Sequence, residues 1–156
     1  MEKQAEEAKL KEYSDILTDF IDLYAGPSDT VYRDYGNGDL VTMTQVHLLG
    51  TIEENPGITA TGLSLLKRKK KSSISQVLSQ LIQKGYVERM ADPHDLKKLC
   101  LYVTPRGREL CELHSKYDIA SMGRTHAMLR ASCTEEELDH FYKVLRSYNQ
   151  IRRQQT

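Results

Sequence analysis

Residues 42 to 103 hold three short helical patterns followed by two alternating ones, and that order leaves few folds open. Thr42-Met43-Thr44-Gln45 has the spacing of a capping box, with Thr42 at the N-cap and Gln45 reaching back. The apolar stripe behind it runs through Val46, Leu49 and Ile52 and stops near Asn55-Pro56-Gly57. Thr59 suits the cap of a second short helix through Leu63 and Leu66. After a basic turn, Ser72 and Ser73 suit the cap of a third, in which Ile74, Val77, Leu78 and Leu81 recur at i, i+3, i+4 and i+7. Lys84-Gly85 ends it, with glycine at C′. Tyr86 to Met90 alternates like a strand, Asp92-Pro93-His94-Asp95 is a turn-rich connection, and Leu99 to Val103 reads as the return strand. Three short helices and a hairpin make a winged helix-turn-helix, whose third helix enters the major groove while the hairpin reaches the flanking backbone or minor groove.

The flanks are helical. Leu10, Tyr13, Ile16, Leu17, Phe20, Leu23 and Tyr24 form one apolar stripe opposite Asp and Glu. Residues 25–39, with three Gly, one Pro and three Asp, read as a long loop holding at most a short ordered turn. Thr104-Pro105 is an N-cap followed by Pro at N1, opening a long helix through Leu110, Leu113 and Tyr117 toward Leu129, with Gly123 a candidate kink. Thr134 and Glu137 form a second capping box ahead of a last helix striped by Leu138, Phe141, Leu145 and Tyr148. The expected fold class is mainly α with a small β-hairpin wing, in a single domain spanning residues 1–156.

Charge sharpens the functional reading. Lys plus Arg and Asp plus Glu are 22 each, yet residues 1–56 carry 4 basic and 12 acidic side chains whereas 57–108 carry 11 and 3. The middle segment therefore has a positive local field that suits a polyanion, although a solvated basic face would look the same. No apolar run is long enough to span a membrane and the acidic N-terminus is unlike a signal peptide, which points to a cytoplasmic protein. Three cysteines without CxxC spacing suit reduced thiols.

The stretch from TMTQVHLL through SSISQVLSQLIQKGYVERMADPHDLKK to LYVTPRGREL resembles the MarR (multiple antibiotic resistance regulator) family of transcriptional regulators. Lys84-Gly85-Tyr86-Val87-Glu88-Arg89, then Asp92-Pro93-His94-Asp95, then Thr104-Pro105-Arg106-Gly107 carry the likeness, over about residues 40–112. It implies a winged helix-turn-helix DNA-binding lobe at 40–107 and helical dimerisation regions at 1–39 and 108–156. It further implies a homodimeric repressor that binds double-stranded, pseudo-palindromic promoter DNA and is released by a small aromatic effector, with no resident cofactor and no catalysis. Two departures stand out. The family's wing arginine is replaced by lysine in Asp95-Leu96-Lys97-Lys98, and a lysine lacks the planar fork that suits minor-groove insertion. The turn Lys67-Arg68-Lys69-Lys70-Lys71 is unusually basic, which shifts affinity toward phosphate contact.

The candidate DNA-contact residues are Ser72, Ser73, Ser75, Gln76, Ser79 and Gln80 off the third helix's apolar stripe, Lys69, Lys70 and Lys71 in the turn, and His94, Asp95, Lys97 and Lys98 in the wing. Short hydroxyls and Gln amides suit bases or phosphates; the competing reading is a solvated face. Tyr13, Tyr24, Tyr32, Tyr35 and His47 are effector-pocket candidates, or core. The five histidines show no metal-site spacing, although His114 and His126 could converge with an acid such as Glu112. Cys100 and Cys111 read as small buried hydrophobes, and Cys133 beside a helix start as the thiol with a physical route to activation. The rival function is a winged-helix protein-interaction module without sequence-specific DNA binding.

Overall fold

The computed structural model describes the backbone of residues 2–25 and 30–155 and the side chains of 5–24 and 30–155. Six helices and two antiparallel hairpins follow one another as α1 (Glu2–Ala25), β1 (Tyr32–Asp34), β2 (Leu40–Thr42), α2 (Met43–Glu54), α3 (Ala60–Lys67), α4 (Lys71–Gln83), β3 (Val87–Asp92), β4 (Asp95–Val103), α5 (Pro105–Leu129) and α6 (Glu135–Gln154). The expected fold class holds: a mainly helical winged helix-turn-helix. Two compact units divide the chain, Met1–Leu113 and His114–Thr156.

The caps act where the sequence places them. Thr42 Oγ1 accepts the Gln45 N–H at 3.3 Å while Gln45 Oε1 accepts the Thr42 N–H at 2.9 Å, so two donors that α2 would strand are paired reciprocally. Thr59 Oγ1 accepts from Gly62 N at 3.0 Å, and Thr134 forms the second box with Glu137. At the end of α4, Gly85 N donates to Ile82 O and Tyr86 N to Leu81 O, with Gly85 at φ 74°, which is a Schellman closure. One cap differs from expectation. The N-cap of α4 is Lys70, which makes no side-chain cap bond, and Ser72 and Ser73 lie inside the first turn with exposed side chains. Their hydroxyls stay available for an external partner.

Residues 32–42, within and just after the expected loop, are a hairpin. β1 pairs with β2 in the register Tyr32↔Thr42, Arg33↔Val41 and Asp34↔Leu40. Asp34 Oδ1 accepts the N–H groups of Gly36, Asn37 and Gly38 at 2.7, 3.1 and 3.0 Å, a side chain standing in for backbone partners in the turn. Polar, glycine-rich composition concealed three-residue strands, because a strand that short carries too little alternation to register. Part of the expected loop, residues 26–29, lies outside the described residues.

The wing strands are longer than expected. β3 and β4 pair from Val87↔Val103 to Asp92↔Asp95 with an irregularity between Ala91 and Asp92, which reduces the connection to Pro93-His94. At the base of the wing, Gly57 N donates to Leu101 O at 3.0 Å and Leu101 N to Ile58 O at 2.9 Å, so residues 57–58 run along β4 and dock the α2–α3 connection.

The core of the first unit gathers Leu49 and Ile52 from α2, Leu63 from α3, Leu78 and Leu81 from α4, Tyr86, Leu101 and Leu110, all essentially without solvent exposure. Removing each such side chain from water is worth about 1.5–3 kcal/mol, and together they fix the crossing of α4 over α2 and α3. Only the inward stripe is used. The other face of α4 remains in solvent.

Candidate nucleic-acid interface

The exposed face of α4 carries Ser72, Ser73, Ser75, Gln76 and Ser79, with Gln80 half-buried at its edge. Ile74, Leu78 and Leu81 point into the core, so the alternation of buried and exposed positions follows the helical period. Ser79 Oγ donates to the Ser75 carbonyl at 2.9 Å, which leaves the Ser79 oxygen as an acceptor. Gln80 Oε1 accepts from Gln45 Nε2 at 2.8 Å, so this side chain is held from below.

The turn ahead of α4 is ordered by its own backbone. Arg68 adopts the left-handed conformation at φ 51° as the C-cap of α3, its N–H donating to Leu65 O at 3.2 Å. Ser64 Oγ donates to Lys69 O at 2.6 Å. Lys69, Lys70 and Lys71 are exposed. They present cations beside the start of α4, whose first-turn N–H groups and dipole also favour an anion.

The wing distributes its charges unevenly. Lys98 Nζ lies 2.7 Å from Asp92 Oδ2, and the carboxylate raises the lysine's pKa while the lysine, with the His94 N–H, lowers that of Asp92. Asp95 Oδ1 accepts the Lys97 N–H at 3.1 Å, a turn bond within the wing. Lys97 is exposed, as is His94. Thus the two wing lysines, equivalent in sequence, differ in structure: Lys98 has an internal counter-ion.

Three elements meet at a polar junction at the wing's base that sequence reasoning missed. The buried Tyr86 hydroxyl donates to Asp39 and accepts from Asn37 Nδ2 at 3.1 Å, while the Arg106 guanidinium sits 5.3 Å over the Tyr86 ring. The tyrosine's hydrogen bond, then that of Arg106, holds the Asp39 carboxyl below the usual carboxylate range; burial, then Asp39, pushes the Tyr86 phenol up. No local pattern announces partners so far apart. Asp-Tyr-Arg proximity comes from the fold alone.

A cavity of about 440 Å³ opens beside α4, lined by Tyr32 of β1, Thr44 and His47 of α2, Lys67 at the end of α3, Lys69 of the turn, and Ser73, Gln76 and Gln80. It brings Tyr32 and His47 together. Tyr35 is buried apart from this lining, and Tyr13 and Tyr24 are exposed along α1. His114 and His126 do not converge: about 18 Å of continuous helix separates them, His114 facing Asp118 at 3.4 Å and His126 bonding Tyr142 at 2.8 Å. Cys100 is buried as expected, whereas Cys111 is half-exposed; burial and then Glu53 nonetheless push the Cys111 thiol up to about 12, so it holds its proton.

The family model described as MarR family matches residues 41–99. A solved structure titled as that of MarR is 30% identical, with a TM-score of 0.61 over 73% of this chain and 80% of its own. The DNA complex of Streptococcus pneumoniae FabT has the same fold at 18% identity, with a TM-score of 0.63 over the whole of both chains. Among curated relatives, the multiple antibiotic resistance protein MarR of Salmonella typhimurium is 27% identical over 84 residues, which is 54% of this chain and 58% of that protein. The uncharacterized helix-turn-helix regulator YhjH of Bacillus subtilis is 26% identical over 84 residues, 54% of this chain and 48% of that one. The matched stretch thus spans about half the length of these relatives.

Proposed function

The chain belongs to the MarR family of transcriptional regulators, and from that premise we propose that it is a homodimeric DNA-binding repressor reading a pseudo-palindromic promoter site. One observation carries the reading: the face of α4 that carries Ser72, Ser73, Ser75, Gln76 and Ser79 is exposed, and the lysines of the turn before it and of the wing are exposed as well. In that assignment Ser73, Ser75 and Gln76 meet base edges, Lys69 to Lys71 meet phosphates, and Lys97 reaches the flanking groove. Two copies of α4 related by a two-fold axis read half-sites about 34 Å apart. The residues proposed as dimerisation regions support the pairing: Leu10, Ile16 and Phe20 of α1 and Phe141, Val144 and Ile151 of α6 are exposed apolar side chains in the single chain.

Release by a small aromatic effector completes the proposal, with the cavity between Tyr32, His47 and α4 as its site. Because Ser73 and Gln76 line that cavity as well as the proposed DNA face, effector and DNA compete directly there. The experiment is fluorescence anisotropy on DNA from the protein's own promoter against a scrambled competitor, at two salt concentrations. A salt-steep curve that scrambled DNA competes only weakly supports the regulator. Equal binding to both reduces the turn to a nonspecific anchor, and no binding favours the protein-interaction module, for which the internally paired Lys98 is the motivating observation.

A further inference from the structure

Gln45 lies beneath the α4 face with 2% of its surface exposed, and its amide orientation is dictated by its neighbours. The Thr42 backbone N–H can only donate, and it lies 2.9 Å from one end of the Gln45 amide, so that end is Oε1. The other end is therefore Nε2, which can only donate. The Gln80 atom 2.8 Å away must then be its acceptor, Oε1, and the Gln80 amide is turned so that its NH₂ is directed away from Gln45. A free glutamine offers a donor and an acceptor to whatever it meets. Here a backbone N–H, relayed through one buried amide, removes half of that choice.

We propose that Gln45 is a positioning residue that turns the Gln80 carbonyl inward, so that Gln80 leads with its NH₂ donor and selects an acceptor-bearing base edge in the major groove. This inference rests on the DNA-binding reading above. Guanine offers two acceptors there, O6 and N7, against one on adenine (N7) and one on thymine (O4), whereas cytosine presents the N4 donor, so the relay favours guanine most and rejects cytosine at the base pair facing Gln80. The same relay disfavours the bidentate adenine contact that an unrestrained glutamine makes, because the carbonyl end that would accept from adenine N6 is already engaged by Gln45 and turned toward it.

The test is selection from a randomised duplex library by the full-length protein and four variants, each first checked for a cooperative thermal melt. Gln80→Ala identifies the base pair that residue 80 reads, as the pair whose preference it abolishes; in the wild type that pair shows guanine favoured over cytosine about tenfold. Gln45→Glu accepts from Thr42 N–H but has no donor for Gln80, so the Gln80 amide turns over and the preference reverses toward donor-bearing bases. Gln45→Met removes the relay and flattens the preference. If both Gln45 variants fail to fold, Gln80→Glu still decides: its carboxylate keeps the Gln45 contact and turns an acceptor outward, which reverses the preference. The inference is overturned if Gln80→Ala alters no position, if the wild type favours cytosine or adenine where residue 80 reads, or if folded Gln45 variants or Gln80→Glu keep the guanine preference. A wild type that enriches no sequence overturns the DNA-binding reading itself, and is told apart by failing before any variant is compared.

Discussion

Arg106 Nη2 lies 2.6 Å from Asp39 Oδ2, a salt bridge between positions 67 residues apart. Tyr86 donates to the same carboxylate, so the turn between β1 and β2, the base of the wing and the first turn of α5 share one hydrogen-bonded junction. Lys84 Nζ adds a bond to the Leu40 carbonyl at 3.1 Å. The segment that follows α1 is thereby fixed to the lobe that presents α4.

That junction predicts stability limits at both ends of the pH scale. Asp39 has a folded pKa below its unfolded value of about 4, so its contribution is fully present above about pH 4 and is lost as pH falls through the lower folded value. Tyr86 has a folded pKa above its unfolded value of about 10, so its contribution is present below about pH 10 and lost as pH rises through the higher one. Asp39→Asn should weaken the acid dependence and Tyr86→Phe the alkaline dependence, the latter costing about 1 kcal/mol at neutral pH. Urea melts across pH check this; unchanged slopes in both variants would remove the junction from the stability account.

Gly107 has no room for a side chain. A Cβ there would stand 2.3 Å from the Tyr86 carbonyl oxygen and 2.6 Å from Val103 Cγ1, closer than atoms approach. Gly107→Ala should force α5 away from the wing base and cost about 1–3 kcal/mol, read as a lowered melting temperature. A variant that melts with the wild type would show that the backbone gives way freely.

The two wing lysines should separate in a salt titration. Lys97→Ala removes an exposed cation and should lower DNA affinity about equally on all sequences while reducing the salt slope by about 1. Lys98→Ala should do less, because Asp92 already balances that charge, and Asp92→Asn should raise affinity by freeing it. Equal losses from both alanine variants would contradict the assignment.

Pairing through the terminal helices is tested by charge. Ile16 is 58% exposed and Phe20 43% exposed on α1, and neither has reason to be apolar unless covered. Ile16→Glu or Phe20→Glu should convert a dimer to a monomer in sedimentation at micromolar concentration and leave the helical content intact. A wild-type monomer under the same conditions would exclude the dimer.

The caps, the apolar stripes and the turn glycines make the helices and wing legible in the sequence itself, because each is a short-range rule with partners three or four residues away: Thr42 with Gln45, Thr134 with Glu137, Ile74 with Leu78. The same locality singles out the exposed serines and Gln76 of α4 and the lysine turn. Three-residue strands at 32–34 and 40–42 fall below that resolution, and Asp34 closes their turn with bonds that composition alone does not reveal. The tertiary structure alone decided which lysine of the wing is balanced, that Asp39, Tyr86 and Arg106 meet, and that Gln45 reaches Gln80 across 35 positions. Those contacts join chemical groups brought together by packing of the apolar faces, and hydrogen-bond direction is set only once donor and acceptor are neighbours in space.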